Sequence, residues 1–342
     1  MMPHIQPEIL SREFVKPFST TPKHKGIHKL CFFDQLSPRL YVPLLLFYTK
    51  EAGHKSSDFY HRSHLLKQSL SQALSRYYPL AGRIQGDATI DCNDEGIMFL
   101  EARIQCELQE ILKHPAEQTI KSLFPDDLQY KDSILGSRLV LQVTSFDCGG
   151  MAIAICICHK TLDAAGLSSF VNDWAAMSRG IVNSPEEVSP VLFNLASVCP
   201  PIELPTINHG EFDQVKTGSR RLVFDALSIA KLKSLVADKV QNPTRVELVS
   251  ALIYMAAISA ARKSSGSSNL TIMHHAVDMR KRVSSILPRG CEGNLTAVFP
   301  VSTAEDTKID LVWLVEETRR QEMALFEHDK NLLAFACINP TT

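Results

Sequence analysis

The sequence predicts an α/β protein built as two domains, and three observations predict it. The chain has 342 residues, too many for one small core. The run "MAIAICIC" at 151–158 is apolar at every position and reads as a strand buried on both faces. Before and after it lie segments whose apolar residues recur at helical spacing.

The elements follow in order. Residues 61–78, "HRSHLLKQSLSQALSRYY", place Leu65, Leu66, Leu70, Leu74 and Tyr77 on one helical stripe. Pro79 ends that helix and Gly82 permits a turn. "RLVLQVTSF" at 138–146 reads as a strand, "DCGG" at 147–150 as a hairpin turn, and 151–158 as the strand that returns. Residues 163–179 read as a helix with the stripe Leu167, Phe170, Val171, Trp174 and Met177, stopped by Gly180. From 183 to 218 the chain is rich in Pro, Ser and Asn with no sustained period, which reads as a crossover. Beyond it come helices at 228–238 and 244–263, the second opened by Thr244 and Glu247 as a capping box. A flexible loop follows at 263–268, then a strand at 270–280 and a helix at 310–329. The expected division is a first domain 1–182, a linker 183–218 and a second domain 219–342. No internal repeat is visible.

Composition narrows the partners. Hydrophobic residues make up 45% and charged residues 21%, with a formal net charge of −1, so nothing suggests nucleic acid or an anionic membrane surface. The nine cysteines are odd in number, irregularly spaced and without CxxC. They predict free thiols in a reducing, cytoplasmic setting. The N-terminus carries charges and prolines and no apolar h-region. "LYVPLLLFY" at 40–48 is far short of the roughly 20 residues a membrane helix needs. The sequons at Asn269 and Asn294 then have no consequence.

The chemistry concentrates in "HKTLD". His159 leaves the end of the 151–158 strand, and Asp163 stands at the start of the next helix. An imidazole there can act as a base near neutral pH. A histidine satisfied at a strand end explains the same residue. Asp163 suits the free N–H groups and positive dipole of a helix start, which is a structural role in itself. A metal site of Cys156, Cys158, His159 and Asp163 meets a geometric objection: in a strand the two cysteines point to one face and His159 to the other.

The chain resembles the plant BAHD acyltransferases. Besides HxxxD, the segments "YYPLAGR" (77–83), "DCNDEGIMFLEA" (91–102), "FDCGGMAIAICICHKTLD" (146–163), "TRVELVSALI" (244–253), "VDMRKR" (277–282) and "GN" (293–294) fall in that family's order and spacing. Within it the chain looks most like the vinorine synthase branch. The resemblance implies two chloramphenicol-acetyltransferase-like domains with mixed sheets and a channel between them. It implies an acyl-CoA co-substrate, acetyl-CoA by branch, no permanently bound cofactor, a hydroxylated small-molecule acceptor of alkaloid or terpenoid type, and a monomer. His159 would be the general base, and Asp163 would turn away from it to pair with Arg280 as structural support. CoA contacts are expected around Thr244, Arg245 and Ser250, where a helix start suits phosphate, and at Arg282; a plain cap or a surface charge is the simpler explanation of each.

Two departures stand out. Ala164 and Ala165 precede Gly166 where the family often has glycine straight after the aspartate. No DFGWG string occurs, so the second domain is expected to be truncated, with Leu332, Leu333, Phe335 and Ile338 lacking a core. The alternative function is a noncatalytic relative that binds CoA or acceptor only.

Overall fold

The structure is a computed structural model. It describes residues 6–50, 59–113, 115–125, 128, 136–180, 190–203, 220–265, 270–283, 287, 289–303 and 309–338, the side chains at 265 and 327–338 excepted. The chain divides into two units, Met1–Asp213 with Arg280–Leu295, and Gln214–Met279 with Thr296–Thr342. The segment Arg280–Leu295 therefore groups with the first unit, although the sequence places it inside the expected second domain.

The first unit runs β1 (Glu8–Val15), β2 (Ile27–Lys29), α1 (Phe32–Leu36), β3 (Tyr41–Tyr48), α2 (Phe59–Arg76), β4 (Arg83–Gln85), β5 (Thr89–Asp91), β6 (Ile97–Ile104), α3 (Leu108–Lys113), α4 (Glu117–Ser122), β7 (Leu139–Phe146), β8 (Met151–Cys158), α5 (Ala164–Ser178) and α6 (Leu195–Val198). Its main sheet has the order β1-β6-β7-β8-β3. The β6–β7 pair is parallel and the others antiparallel, so the sheet is mixed. A smaller antiparallel sheet has the order β2-β5-β4.

All eight residues of β8 are buried, and the alternation of a strand sorts them. Ile153, Ile155 and Ile157 join one cluster with Leu70, Leu74 and Tyr77 from the α2 region and with Phe170, Trp174 and Met177 of α5. Ala154 and Cys156 pack on the other face against Tyr41, Leu100, Phe124 and Val140. Ala152 joins Leu108 and Ile111 of α3. Helices on both faces are why this strand could be written almost entirely in apolar residues. The apolar run at 40–48 is β3, at the sheet edge beside β8. Pro43, which cannot donate to a ladder, is tolerated there. The α2–α5 layer is pinned by Arg76 Nη1 to Asp173 Oδ2 at 2.9 Å and by Trp174 Nε1 donating to Leu66 O at 3.2 Å.

Helix α2 begins and ends two residues before the expected bounds, because Tyr78–Ala81 tightens into a 3-10 turn with Pro79 in its first positions. The expected crossover contains the short helix α6; residues 181–189 and 204–219 of it lie outside the described residues.

The second unit has α7 (Ala226–Val236), α8 (Arg245–Ser265), β9 (Thr271–Asp278), β10 (Thr296–Thr303) and α9 (Leu311–Ile338). Among the described residues its strands β9 and β10 pair antiparallel. Leu248, Ala251, Tyr254 and Ile258 of α8 pack with Phe299, Val301, Leu314 and Val315. Tyr254 anchors this core by donating to Thr271 O at 2.7 Å. Helix α9 runs nine residues beyond the expected 329; the side chains of Leu332, Leu333, Phe335 and Ile338 lie outside those described. Among the described residues no helix is long and apolar enough to cross a membrane. Cys31, Cys92, Cys106, Cys148, Cys156, Cys158 and Cys291 are free. Cys199 is disulfide-bonded, which corrects the expectation of free thiols throughout.

Candidate functional site

His159 follows β8 directly, in the turn closed by Thr161 N–H donating to Cys158 O at 2.9 Å. Its backbone is held from two sides. The N–H donates to Leu40 O at 3.0 Å, just before β3. The carbonyl accepts from Asn294 Nδ2 at 2.8 Å. The ring is half-buried, and its Nδ1 is buried with no hydrogen-bond partner among the described residues.

Asp163 does not turn to that ring. Its Oδ1 accepts from the Gly166 N–H at 2.9 Å, which makes it the N-cap of α5. Its Oδ2 accepts from Arg280 Nη1 at 2.8 Å and from the Leu295 N–H at 2.9 Å. Burial alone would push the Asp163 carboxyl up; the Arg280 guanidinium, with the N–H groups of Gly166 and Leu295, outweighs it and holds the group below the ordinary aspartate value. Arg280 in turn donates from Nη2 to Gly293 O at 2.8 Å and from Nε to Cys291 O at 3.3 Å. One guanidinium thus ties the start of α5 to residues 291–295. Cap and ion pair are the same carboxylate, so the two structural readings of Asp163 coexist.

A second tether was not anticipated. Asp34 of α1 is buried, and its Oδ1 accepts from the Asn294 N–H at 2.7 Å and from Asn294 Nδ2 at 2.9 Å. Its Oδ2 accepts from the Cys31 N–H at 2.8 Å. Burial pushes this carboxyl up against those hydrogen bonds. Asn294, which the sequence shows only as part of a sequon and of "GN", therefore links Asp34 to the His159 carbonyl. Lys160 is also buried and donates to Gln35 O at 2.8 Å; burial lowers its pKa. Nothing in the sequence paired Asp34 with a residue 260 positions away.

The other expected site residues fall elsewhere. Cys156 lies in the apolar cluster described above, and burial pushes its thiol up to about 12. Cys158 Sγ sits 3.2 Å from Arg138 Nη1. Among the described residues no group of three or more His, Cys, Asp or Glu gathers as a metal site. Thr244, Arg245 and Ser250 belong to the second unit and Arg282 to the first. At the α8 start the Thr244 N–H donates to Glu247 Oε2 at 2.6 Å, and the Glu247 N–H donates to Thr244 Oγ1 at 3.2 Å. The capping box expected from sequence is present. It also places a carboxylate at the helix start that was expected to suit phosphate.

Gly166 packs closely against the ends of two buried side chains. A methyl built on it would stand 2.8 Å from Glu292 Oε2 and 2.9 Å from Leu162 Cδ2. In an open helix alanine would gain roughly 1 kcal/mol over glycine. Overpacking here costs about 1–3 kcal/mol. Gly166→Ala is therefore expected to lower the melting temperature, and a thermal melt at or above wild type would refute this packing.

With this geometry in view, the likenesses to known proteins become informative. Residues 5–334 match the Transferase family. The acyltransferase Pun1 of Capsicum frutescens is 35% identical, aligned over 94% of this chain and 74% of its own length. A limonoid 21-O-acetyltransferase of Melia azedarach is 36% identical over 90% of this chain and 72% of its own length. Among solved structures, vinorine synthase superposes with a TM-score of 0.77 at 29% identity, covering 93% of this chain and 76% of that one. TRI101 of F. sporotrichioides, solved with coenzyme A and T-2, shares the fold with a TM-score of 0.67 at 15% identity, over 91% of this chain and 77% of that one. Its match across almost the whole chain and its mixed α/β fold make this chain a member of the plant BAHD acyltransferases, enzymes that transfer acyl groups other than amino-acyl groups.

Proposed function

We propose that the chain is an acyl-CoA-dependent O-acyltransferase in which His159 is the general base and a small hydroxylated molecule is the acceptor. The observation that carries this reading is the placement of His159. A half-buried imidazole ends a buried strand, its backbone is held on both sides, and the nearby carboxylate is fully engaged elsewhere. His159 then acts without a triad acid. It takes the proton of the acceptor hydroxyl as the oxygen attacks the thioester carbonyl. The tetrahedral oxyanion collapses, the carbon–sulfur bond breaks, and the CoA thiolate takes the proton back from the imidazolium. A positioned base of this kind contributes typically 10²–10⁴-fold.

Asp163 and Arg280 support the site by fixing the start of α5. CoA as co-substrate is supported by the family and by the fold shared with TRI101, which binds it. Acetyl as the acyl group is supported by relatives named as acetyltransferases. For the CoA phosphates the candidates are Thr244, Arg245 and Ser250 in the second unit and, separately, Arg282 in the first. A monomer in the cytoplasm completes the reading.

The test is CoA release from acetyl-CoA, malonyl-CoA and a longer acyl-CoA, each with a panel of terpenoid, alkaloid and simple alcohols. Acceptor-dependent thiol release with formation of the ester supports the proposal. Binding of CoA with no turnover on any acceptor would replace it with the noncatalytic reading.

A further inference from the structure

Glu292 belongs to the segment that Arg280 and Asn294 tie to the HxxxD turn. It is 5% exposed. Its backbone is clamped: the N–H donates to Leu192 O at 2.8 Å, and the carbonyls on either side, Cys291 O and Gly293 O, both accept from Arg280. The side chain lies against the first turn of α5, with Oε2 2.8 Å from where a Cβ on Gly166 would stand. That oxygen is buried and has no hydrogen-bond partner among the described residues.

The charges around it do not balance an ionised carboxylate. Its surroundings are Ser169, Asp163 and Asp173 of the α5 region, Arg280, the neighbouring thiol of Cys291, and Tyr77 at the end of α2. Arg280 is engaged by Asp163 at 2.8 Å, and Asp173 is matched by Arg76 at 2.9 Å and by the Tyr77 hydroxyl. Among the described residues, three carboxylates thus share two arginines. A charged Glu292 would be the uncompensated one, and burying such a charge is strongly unfavourable.

We propose that Glu292 is a positioning residue that works as the neutral acid: protonated, it seats residues 291–294 against Gly166 and leaves Arg280 to Asp163; ionised, it draws on Arg280 and loosens the turn that carries His159. Burial holds this carboxyl up at about 7 against the pull of Arg280, so its proton leaves close to neutrality. The sign follows. Between the ordinary value of 4.5 and about 7 the native state keeps a proton that the unfolded chain has lost. Stability therefore falls as pH rises through that window.

The experiment compares wild type with Glu292→Gln, an isostere of the neutral acid. The wild-type melting temperature is expected to drop by about 5 °C across the window, and that of Glu292→Gln to lack this drop. Equal slopes would overturn the proposal. The second arm rests on the His159 reading. Above neutral pH, wild-type kcat is expected to fall about tenfold relative to Glu292→Gln, short of the 10²-fold that a 1 Å misplacement costs, with KM for acyl-CoA in common. Matching kcat profiles would sink the positioning role. If no acceptor is turned over by either protein, the proposed function fails, while the melting arm still decides the protonation of Glu292. Should Glu292→Gln not fold, Ser169→Ala replaces it. Loss of that hydroxyl, which favours the charged form, should move the midpoint of the drop to higher pH, and an unmoved midpoint counts against the proposal.

Discussion

Replacing His159 by alanine is expected to reduce acceptor-dependent CoA release by at least about 10²-fold while leaving thermal unfolding close to wild type. The two effects separate because the residue serves the fold through its backbone and the reaction through its ring. Its N–H to Leu40 and its carbonyl from Asn294 survive the substitution. Its Nδ1 has no partner among the described residues, so losing the ring strands no protein donor or acceptor that we observe. Retention of more than about a tenth of the rate would remove His159 as the base, because the smallest general-base contribution expected is larger than that. A matching fall in melting temperature would instead point to a structural histidine at a strand end.

The second large effect is on stability. Asp163→Ala should cost about 3–5 kcal/mol, the range for removing one partner of a buried pair. The side chain of Asp163 is 3% exposed and that of Arg280 21%, so solvent screens the pair little. Removal leaves Arg280, the Gly166 N–H and the Leu295 N–H without their acceptor. Arg280→Met should cost a similar amount, since it also abandons the carbonyls of Cys291 and Gly293. The double variant should lose clearly less than the sum of the singles, and strict additivity would deny the coupling. Arg280→Lys should rescue only in part, because an ammonium lacks the planar fork that reaches three acceptors at once. The pH dependence has the opposite sense to that of Glu292. Asp163 holds its pKa below the ordinary value. The stability it contributes is therefore complete above the unfolded value of about 3.9 and is lost as pH falls through the folded one. Melting curves taken from neutrality down through about pH 4 into stronger acid, with Asp163→Ala as control, measure it.

Much of this was legible in the chain. The 151–158 run could be recognised as a central strand because burial on both faces demands apolar residues at every position. The stripe from Leu167 to Met177 marked α5 because a helix facing one sheet repeats its apolar residues at 3.6. Short-range rules also carried the caps: Asp163 accepts from Gly166 and Thr244 exchanges hydrogen bonds with Glu247, each within three residues. Other elements were not recognised. In the sequence β3 reads only as an apolar stretch, because a short run does not reveal whether it spans, pairs or packs. Asp225 caps α7 by accepting from Ser228 at 2.7 Å, a signal as local as the other two.

By itself the sequence determined the class of fold, the family, and the presence of an imidazole and a carboxylate four positions apart at the end of a buried strand. It could do so because period, turn chemistry and motif order are properties of neighbours along the chain. Only the tertiary structure decided what that carboxylate and that histidine lean on. Arg280 meets Asp163 across 117 positions, Asn294 meets the His159 carbonyl across 135, and Asp34 meets Asn294 across 260. It also decided that Arg280–Leu295 groups with the first unit and not with its neighbours in sequence. A hydrogen bond or an ion pair is satisfied by whatever group the fold brings within about 3 Å. Composition says that such a group must exist, and packing selects which one it is.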